Sequence, residues 1–248
     1  MHRKYSVTVE GVSDKGLVRN HNEDHVLVND IVFTDDAVRS IFKDQEILVF
    51  AVADGLGGHR AGEVASRVVL EHLKKFAKNL LPEEDPETLR EQFSQWLSDA
   101  HRFLLHRGRE NNSCEGMATT ICGLLFAGDV TVWFHAGDSR LYHFRHGGLR
   151  QLTGDHSQAA FFNDPSIPSN MIANCIGAGQ APYIEVGEIK ELRSGDVLLL
   201  CTDGLSDMLD DAGIAHLLGK EDARALVNEA NHRGGIDNIS VVKLVLTE

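Results

Sequence analysis

Apolar positions along the chain follow two spacings, and each marks its own kind of element. Ala65, Val69, Leu73, Phe76 and Leu80 recur at steps of three or four, which lays one apolar stripe along an amphipathic helix. A second stripe runs through Leu89, Phe93, Trp96, Ala100 and Leu104, with Asp85 in place to cap it and Pro86 at its first helical position. The stretch 81–87 between them is too short to separate domains and predicts a turn joining a helix pair. Elsewhere the apolar runs are short and bounded by turn residues. Residues 46–53, 119–126, 130–136, 141–145, 197–201 and 239–246 therefore predict strands. Gly128-Asp129 and Gly147-Gly148 predict hairpins. Strands joined by tight hairpins, with two long helices inserted as a pair, favour antiparallel sheets packed on helices over alternating βαβ units. Segment 30–45 reads as an added loop or short helix ahead of the 46–53 strand.

Composition narrows the function classes. A chain of 248 residues can bury a continuous core, and residues 1–248 are expected to form one domain. Its 42% hydrophobic and 25% charged residues exclude disordered and fibrous classes. A formal charge of -13, with no compensating run of Lys and Arg, argues against nucleic acid or an anionic membrane as partner and suits cation binding. Cys114, Cys122, Cys175 and Cys201 show neither a CxxC pair nor zinc-ligand spacing and read as reduced, mostly buried thiols. The opening MHRKYSVTVEG lacks the apolar run of a signal peptide, and the longest apolar stretches are strand-sized. No membrane insertion and a cytoplasmic location are the expectation.

Chemistry concentrates where acidic residues leave predicted strands beside glycine or another small turn residue. Asp54-Gly55 follows ILVFAVA, Asp138 lies in AGDSR, Asp203-Gly204 follows VLLLCT, and Asp237-Asn238 precedes ISVVKLV. A carboxylate at the end of a buried strand is partly desolvated and needs a cation or hydrogen-bond donors. Several converging at one sheet edge would make an oxygen-rich site for a hard divalent ion. One Asp-Gly pair alone is an ordinary turn signal. The combination with Arg19, Glu23 and Asp24 in SDKGLVRNHNED, one cation and two carboxylates in a short polar segment, moves the balance towards a site. Most of the histidines, including His72, His101 and His106, sit on predicted helix faces and are expected to be solvated.

These pieces, in order along nearly the whole chain, resemble the metal-dependent protein phosphatase family of the 2C type, especially its compact bacterial members. They are SDKGLVRNHNED at 13–24, VADGLGGHRAGE at 52–63, GMATT at 116–120, AGDSRLY at 136–142, LTGDHS at 152–157, CTDGLSD at 201–207 and GGIDNISVV at 234–242. The resemblance implies an α+β fold of two stacked antiparallel β-sheets flanked by α-helices, a four-layer sandwich with metals in a cleft at one end. It implies that Asp54 bridges two Mn²⁺ or Mg²⁺ ions, that the Gly55 carbonyl and Glu23 join it on one, and that Asp203 and Asp237 hold the other. Asp24 would orient the attacking water and Arg19 would clamp the phosphate. Asp138 and Asp207 match positions that hold a weaker third metal in the family. The implied activity is hydrolysis of phosphoserine and phosphothreonine in proteins, opposite a Ser/Thr kinase, by a monomeric enzyme.

Three departures accompany the match. Leu56 stands where the eukaryotic branch has a candidate general acid, and His59, after GLGG, is the candidate cleft residue in its stead. The flap between DHS and Ile176-Gly177 is short. Ser169 and Asn174 occupy the apparent slots of arginines common in the family, which predicts an open rim. A phosphatase of a small phosphorylated metabolite and a non-catalytic phosphoprotein-binding module are the competing readings. Activity on phosphoprotein separates the first, and the presence of every expected metal carboxylate weighs against the second.

Overall fold

Both spacings fold as their periods require in a computed structural model of the chain, which describes residues 5–57, 61–82, 84–164, 166–168, 171–179 and 181–248. In chain order the elements are β1 (Ser6–Asp14), β2 (His25–Val28), β3 (Ile31–Phe33), β4 (Ala37–Phe42), β5 (Ile47–Ala53), β6 (Gly55–Leu56), α1 (Ala61–Ala77), α2 (Pro86–Glu110), β7 (Ala118–Thr119), β8 (Ile121–Ala127), β9 (Val130–Ala136), β10 (Arg140–Arg145), β11 (Gly148–Gln151), α3 (Gln158–Phe162), β12 (Glu185–Glu188), β13 (Val197–Cys201), α4 (Asp203–Ser206), α5 (Asp211–Leu218), α6 (Ala223–His232) and β14 (Ile239–Thr247).

Two six-stranded antiparallel sheets form, ordered β11-β10-β13-β14-β1-β4 and β12-β9-β8-β5-β2-β3. They stack face to face. Strand β5 reads as an unbroken apolar run because both of its faces are buried. Leu48, Phe50 and Val52 join Val9, Val26, Leu124, Leu200 and Leu244 between the sheets, while Val49, Ala51 and Ala53 pack with Val69, Leu73, Phe93 and Trp96 of α1 and α2. On the far side, Leu199, Cys201, Ile239 and Val241 pack with Ile214, Leu226 and Val227 of α5 and α6. The order of layers is thus helices, sheet, sheet, helices, the expected α+β sandwich.

At the start of α2 the local signals act where predicted. The Asp85 carboxylate accepts from the backbone N–H of Glu87 and Thr88, and Pro86 opens α2. The β10–β11 hairpin forms as expected, but its turn falls one residue earlier, on His146 and Gly147 with φ of 51° and 82°, because Gly148 already pairs with Arg145; consecutive left-handed residues match the twist of the strands they join.

Two further expectations need correction. Segment 30–45 is neither a loop nor a helix: it supplies β3 and β4, which close one edge of each sheet. Along β4 half-buried and exposed residues alternate, the pattern of a strand with one solvated face, and left-handed Asp35 helps turn the chain from one sheet to the other. The second correction is His101, which is buried and accepts a hydrogen bond from Gly177 N–H at 3.0 Å through Nδ1, tying α2 to the end of the flap. His106 is exposed as expected, and His72 is half-buried. Strand β1, absent from the sequence-based set, lies between β14 and β4.

Candidate functional site

The acidic residues singled out in the sequence come together where strands from both sheets end. Asp54 follows β5, Asp138 lies between β9 and β10, Asp203 follows β13, and Asp237 precedes β14, while Glu23 and Asp24 precede β2. Asp54 is surrounded by the charges of Asp203, Asp24, Asp138 and Asp237, and its carboxyl shares a hydrogen bond with that of Asp203. The structure therefore assembles the predicted carboxylates from five separate stretches of chain.

Close backbone packing shapes one wall. A Cβ on Gly55 would stand 2.3 Å from the Gly62 carbonyl oxygen and 2.5 Å from that of Glu23, so no larger residue fits. Similarly, a Cβ on Gly62 would meet the Gly55 carbonyl oxygen at 2.6 Å and the Glu23 carboxyl carbon at 3.0 Å. These two glycines let the Gly55 carbonyl and the Glu23 carboxylate share one corner.

The backbone of Asp54 is fixed by the threonines of GMATT, motif residues to which the sequence assigned no role. Thr120 Oγ1 accepts from Asp54 N–H at 3.0 Å, while Thr119 Oγ1 and Thr120 N–H donate to the Asp54 carbonyl at 2.7 and 2.9 Å. Asn238 does the same for the loop carrying Arg19 and Glu23. Its Oδ1 accepts from Glu23 N–H at 2.9 Å, and its Nδ2 donates to the carbonyls of Lys15 and His21 at 2.8 and 2.9 Å. Asp24 is almost fully buried, with Oδ2 accepting from Thr202 Oγ1 at 2.8 Å. Arg19 donates to Asp237 Oδ2 at 2.6 Å with half its side chain in solvent.

Electrostatically, the cluster is unfavourable as it stands. Burial drives the Asp54 carboxyl well above the usual carboxylate range, and the neighbouring aspartates add to it. Burial likewise lifts Asp203 to about 6, Asp138 to about 7 and Asp24 to about 8, with Thr202 opposing the last. Glu23 rises to about 7 by burial, although Arg19 pulls the other way. Asp207, just past α4, is raised by burial and lowered by Arg140. Asp24 Oδ1, Asp138 Oδ1 and Asp203 Oδ1 are buried with no hydrogen-bond partner. Buried carboxylate oxygens in this density, with the half-exposed Arg19 beside Glu23 and Asp237, fit divalent cations with oxygen ligands.

Of the remaining expected site residues, His59 and Ser169 lie outside the described residues. Asn174 is buried and committed elsewhere: Nδ2 reaches His156 Nδ1 at 2.8 Å and the Tyr183 carbonyl at 2.9 Å. A second group of ligand-type side chains, His135, His156 and Glu185, has ligand atoms within 4.8 Å of one another. Gly137 N–H also donates to Nδ1 of His156, which leaves the imidazole proton on Nε2, 3.5 Å from Glu185 Oε1. A protonated Nε2 that faces the Glu185 carboxylate without a completed hydrogen bond is not a metal ligand, since ligating histidines carry the proton on the other nitrogen.

A family model described as protein phosphatase 2C matches residues 29–230. The chain belongs to the protein phosphatase 2C family. Among 2C-type relatives it is 30% identical over 250 residues to the serine/threonine phosphatase stp of Listeria innocua, covering 93% of this chain and 92% of that one. It is 33% identical over 245 residues to the serine/threonine protein phosphatase PstP of Mycobacterium tuberculosis, covering 93% of this chain and 43% of PstP. The S. agalactiae serine/threonine phosphatase superposes with a TM-score of 0.83 at 28% identity, over 98% of this chain and all of the other. The catalytic domain of PstP in complex with two manganese ions superposes with a TM-score of 0.77 at 31% identity, over 98% and 100% of the two chains.

Proposed function

We propose that Glu23, Asp54, the Gly55 carbonyl, Asp203 and Asp237 hold two divalent ions, Mn²⁺ or Mg²⁺, and that Arg19 and Asp24 complete a site for hydrolysing phosphate esters. The chain is a metal-dependent serine/threonine protein phosphatase of the 2C type. One observation carries this reading: carboxylates from five stretches of chain converge with buried oxygens that lack partners. Bound there, a divalent pair supplies Lewis acidity towards phosphoryl oxygens and lowers the pKa of water.

The protein's own groups then divide the work. Thr202 fixes one oxygen of Asp24, so the other is free to accept a hydrogen bond from the attacking water and orient it. Arg19 presents a planar fork of donors that suits two phosphoryl oxygens, and its exposure leaves it within reach of an incoming ester. Charge building on those oxygens in the transition state is met by a cation already in place. Asp138 and Asp207 stand beside Asp203 and are assigned to a third, weaker ion.

The same reading makes residues 1–248 one catalytic unit, working as a monomer on a phosphorylated protein and opposite a Ser/Thr kinase. Four unpaired cysteines support a reducing, cytoplasmic setting. Among the described residues no helix is long and apolar enough to cross a membrane. The test is to strip the protein of metal, restore Mn²⁺ or Mg²⁺, and compare phosphothreonine, phosphoserine and phosphotyrosine peptides with small phosphorylated metabolites. Metal-dependent turnover of the first two is expected. Turnover confined to metabolites, or indifferent to metal, would overturn the assignment.

A further inference from the structure

Large aliphatic side chains gather in the open immediately beside the phosphate clamp. Leu17, Val18 and Ile236 are 68%, 63% and 56% exposed. They are neighbours through the backbone, since Leu17 N–H and Val18 N–H both donate to the Gly235 carbonyl, at 2.8 and 3.2 Å. Between them lies a floor without side chains: Gly234 and Gly235 take φ of 132° and 51°, with Leu17 Cγ over Gly235 and Ile236 Cγ1 beside Gly234. Met208, partly buried, closes the far side against Gly234. One residue further along each of these two segments, Arg19 donates to Asp237.

We propose that Leu17, Val18 and Ile236 form an apolar lip that seats a bulky aliphatic or aromatic side chain of the protein substrate, next to the phosphorylated residue. The inference rests on the phosphatase reading of the site. Its occupant follows from position: Val18 and Ile236 directly precede Arg19 and Asp237 in the chain, so whatever lies on the lip lies beside the phosphate clamp. A second copy of the chain is a poor occupant, because three side chains fall far short of the 20 to 30 residues and about 800 Å² per partner of a stable dimer. Exposing three large aliphatics together disfavours solubility, and removing them from water on substrate binding is the compensating gain.

The test compares two phosphothreonine peptides, identical except for Leu or Ser directly beside the phosphothreonine, using the Mn²⁺-loaded protein. Wild type should prefer the Leu peptide about tenfold in kcat/KM, chiefly through KM. The double variant Leu17→Ser/Ile236→Ser should treat both peptides alike while turning over p-nitrophenyl phosphate, which has no flanking residue, at the wild-type rate. Retained discrimination in the variant, or none in wild type, overturns the lip while leaving the phosphatase reading intact. Turnover of p-nitrophenyl phosphate with no turnover of either peptide sinks the protein-phosphatase reading itself, and the lip falls with it. Conversion of a dimer to a monomer by the double variant, seen by sedimentation, would make this face a self-association surface and also overturn the proposal.

Discussion

Asp54→Asn and Asp203→Asn are each expected to lower kcat on a phosphothreonine peptide by at least about a hundredfold, ~2.7 kcal/mol of transition-state stabilisation. Each substitution removes a negative oxygen from the cluster at nearly constant side-chain volume, so the fold should persist. Retention of more than about a tenth of wild-type kcat, a loss of only about 1.4 kcal/mol, would contradict their assignment to the metals. Stability should move the other way in metal-free protein. Burial and mutual repulsion hold Asp54 well above the ordinary carboxylate range and Asp203 at about 6. A carboxyl whose pKa is raised by folding stabilises the folded state least once it must ionise there. Its contribution is most favourable below the unfolded value of about 4 and is lost as pH climbs through the folded one. Asp54→Asn removes that loss. Its melting temperature without metal should therefore exceed that of wild type, by a margin that widens from about pH 5 to about pH 8. Saturating Mn²⁺ should reverse the order, because wild type binds the ion more tightly in its folded state. A metal-free Asp54→Asn less stable than wild type at about pH 8 would count against a crowded carboxylate cluster.

Arg19→Ala is expected to reduce kcat/KM by about a hundredfold on peptides and on small phosphate esters alike, since the clamp acts on the phosphoryl group itself. Mn²⁺ affinity should be unchanged or tighter. The guanidinium sits 2.6 Å from Asp237 Oδ2, and its removal frees that oxygen and takes away a nearby positive charge. Arg19→Lys should recover only part of the loss, because an ammonium keeps the charge without the two-pronged geometry. Steady-state kinetics and calorimetry separate these effects. A variant that loses Mn²⁺ binding yet keeps its KM would show that Arg19 serves the structure and that the clamp lies elsewhere.

The carboxylates were legible in the sequence through recurrence: one Asp-Gly pair is an ordinary turn signal, but several acidic residues at the ends of apolar runs, together with the polar segment that carries Glu23 and Asp24, are not. Asp54, Asp203 and Asp237 needed no knowledge of tertiary contacts to be suspected. The groups that position them carried no such signal, because their partners are distant along the chain. Asn238 holds Glu23 across 215 residues, and Thr202 holds Asp24 across 178. An Asn or Thr alone is compatible with a turn, a cap or a solvated loop, and only folding selects among these.

The same distinction separates the elements found from those missed. Helix α2 declared itself through cap, proline and stripe, whereas β3 is three residues long and β4 is an edge strand of six whose exposed face mixes Ala37, Arg39 and Ile41. Edge strands bury little and so imprint little hydrophobic pattern on the chain. His101 was misjudged for a different reason. It falls four residues after Leu97 and three before Leu104, on the buried face of α2, where the apolar stripe already ran. Helical spacing could have placed it there; its imidazole is tolerated because burial keeps it neutral and Gly177 N–H satisfies Nδ1.

The most direct measurement is titration of metal-stripped protein with Mn²⁺ by calorimetry, run in parallel on wild type, Asp54→Asn and Asp203→Asn, with turnover of a phosphothreonine peptide followed across the same titration. Two ions bound per wild-type chain are expected, with turnover rising as the second site fills and at least one of the two binding events lost in each variant. Wild-type protein that binds no ion, or that hydrolyses the peptide equally well before Mn²⁺ is added, would contradict the account.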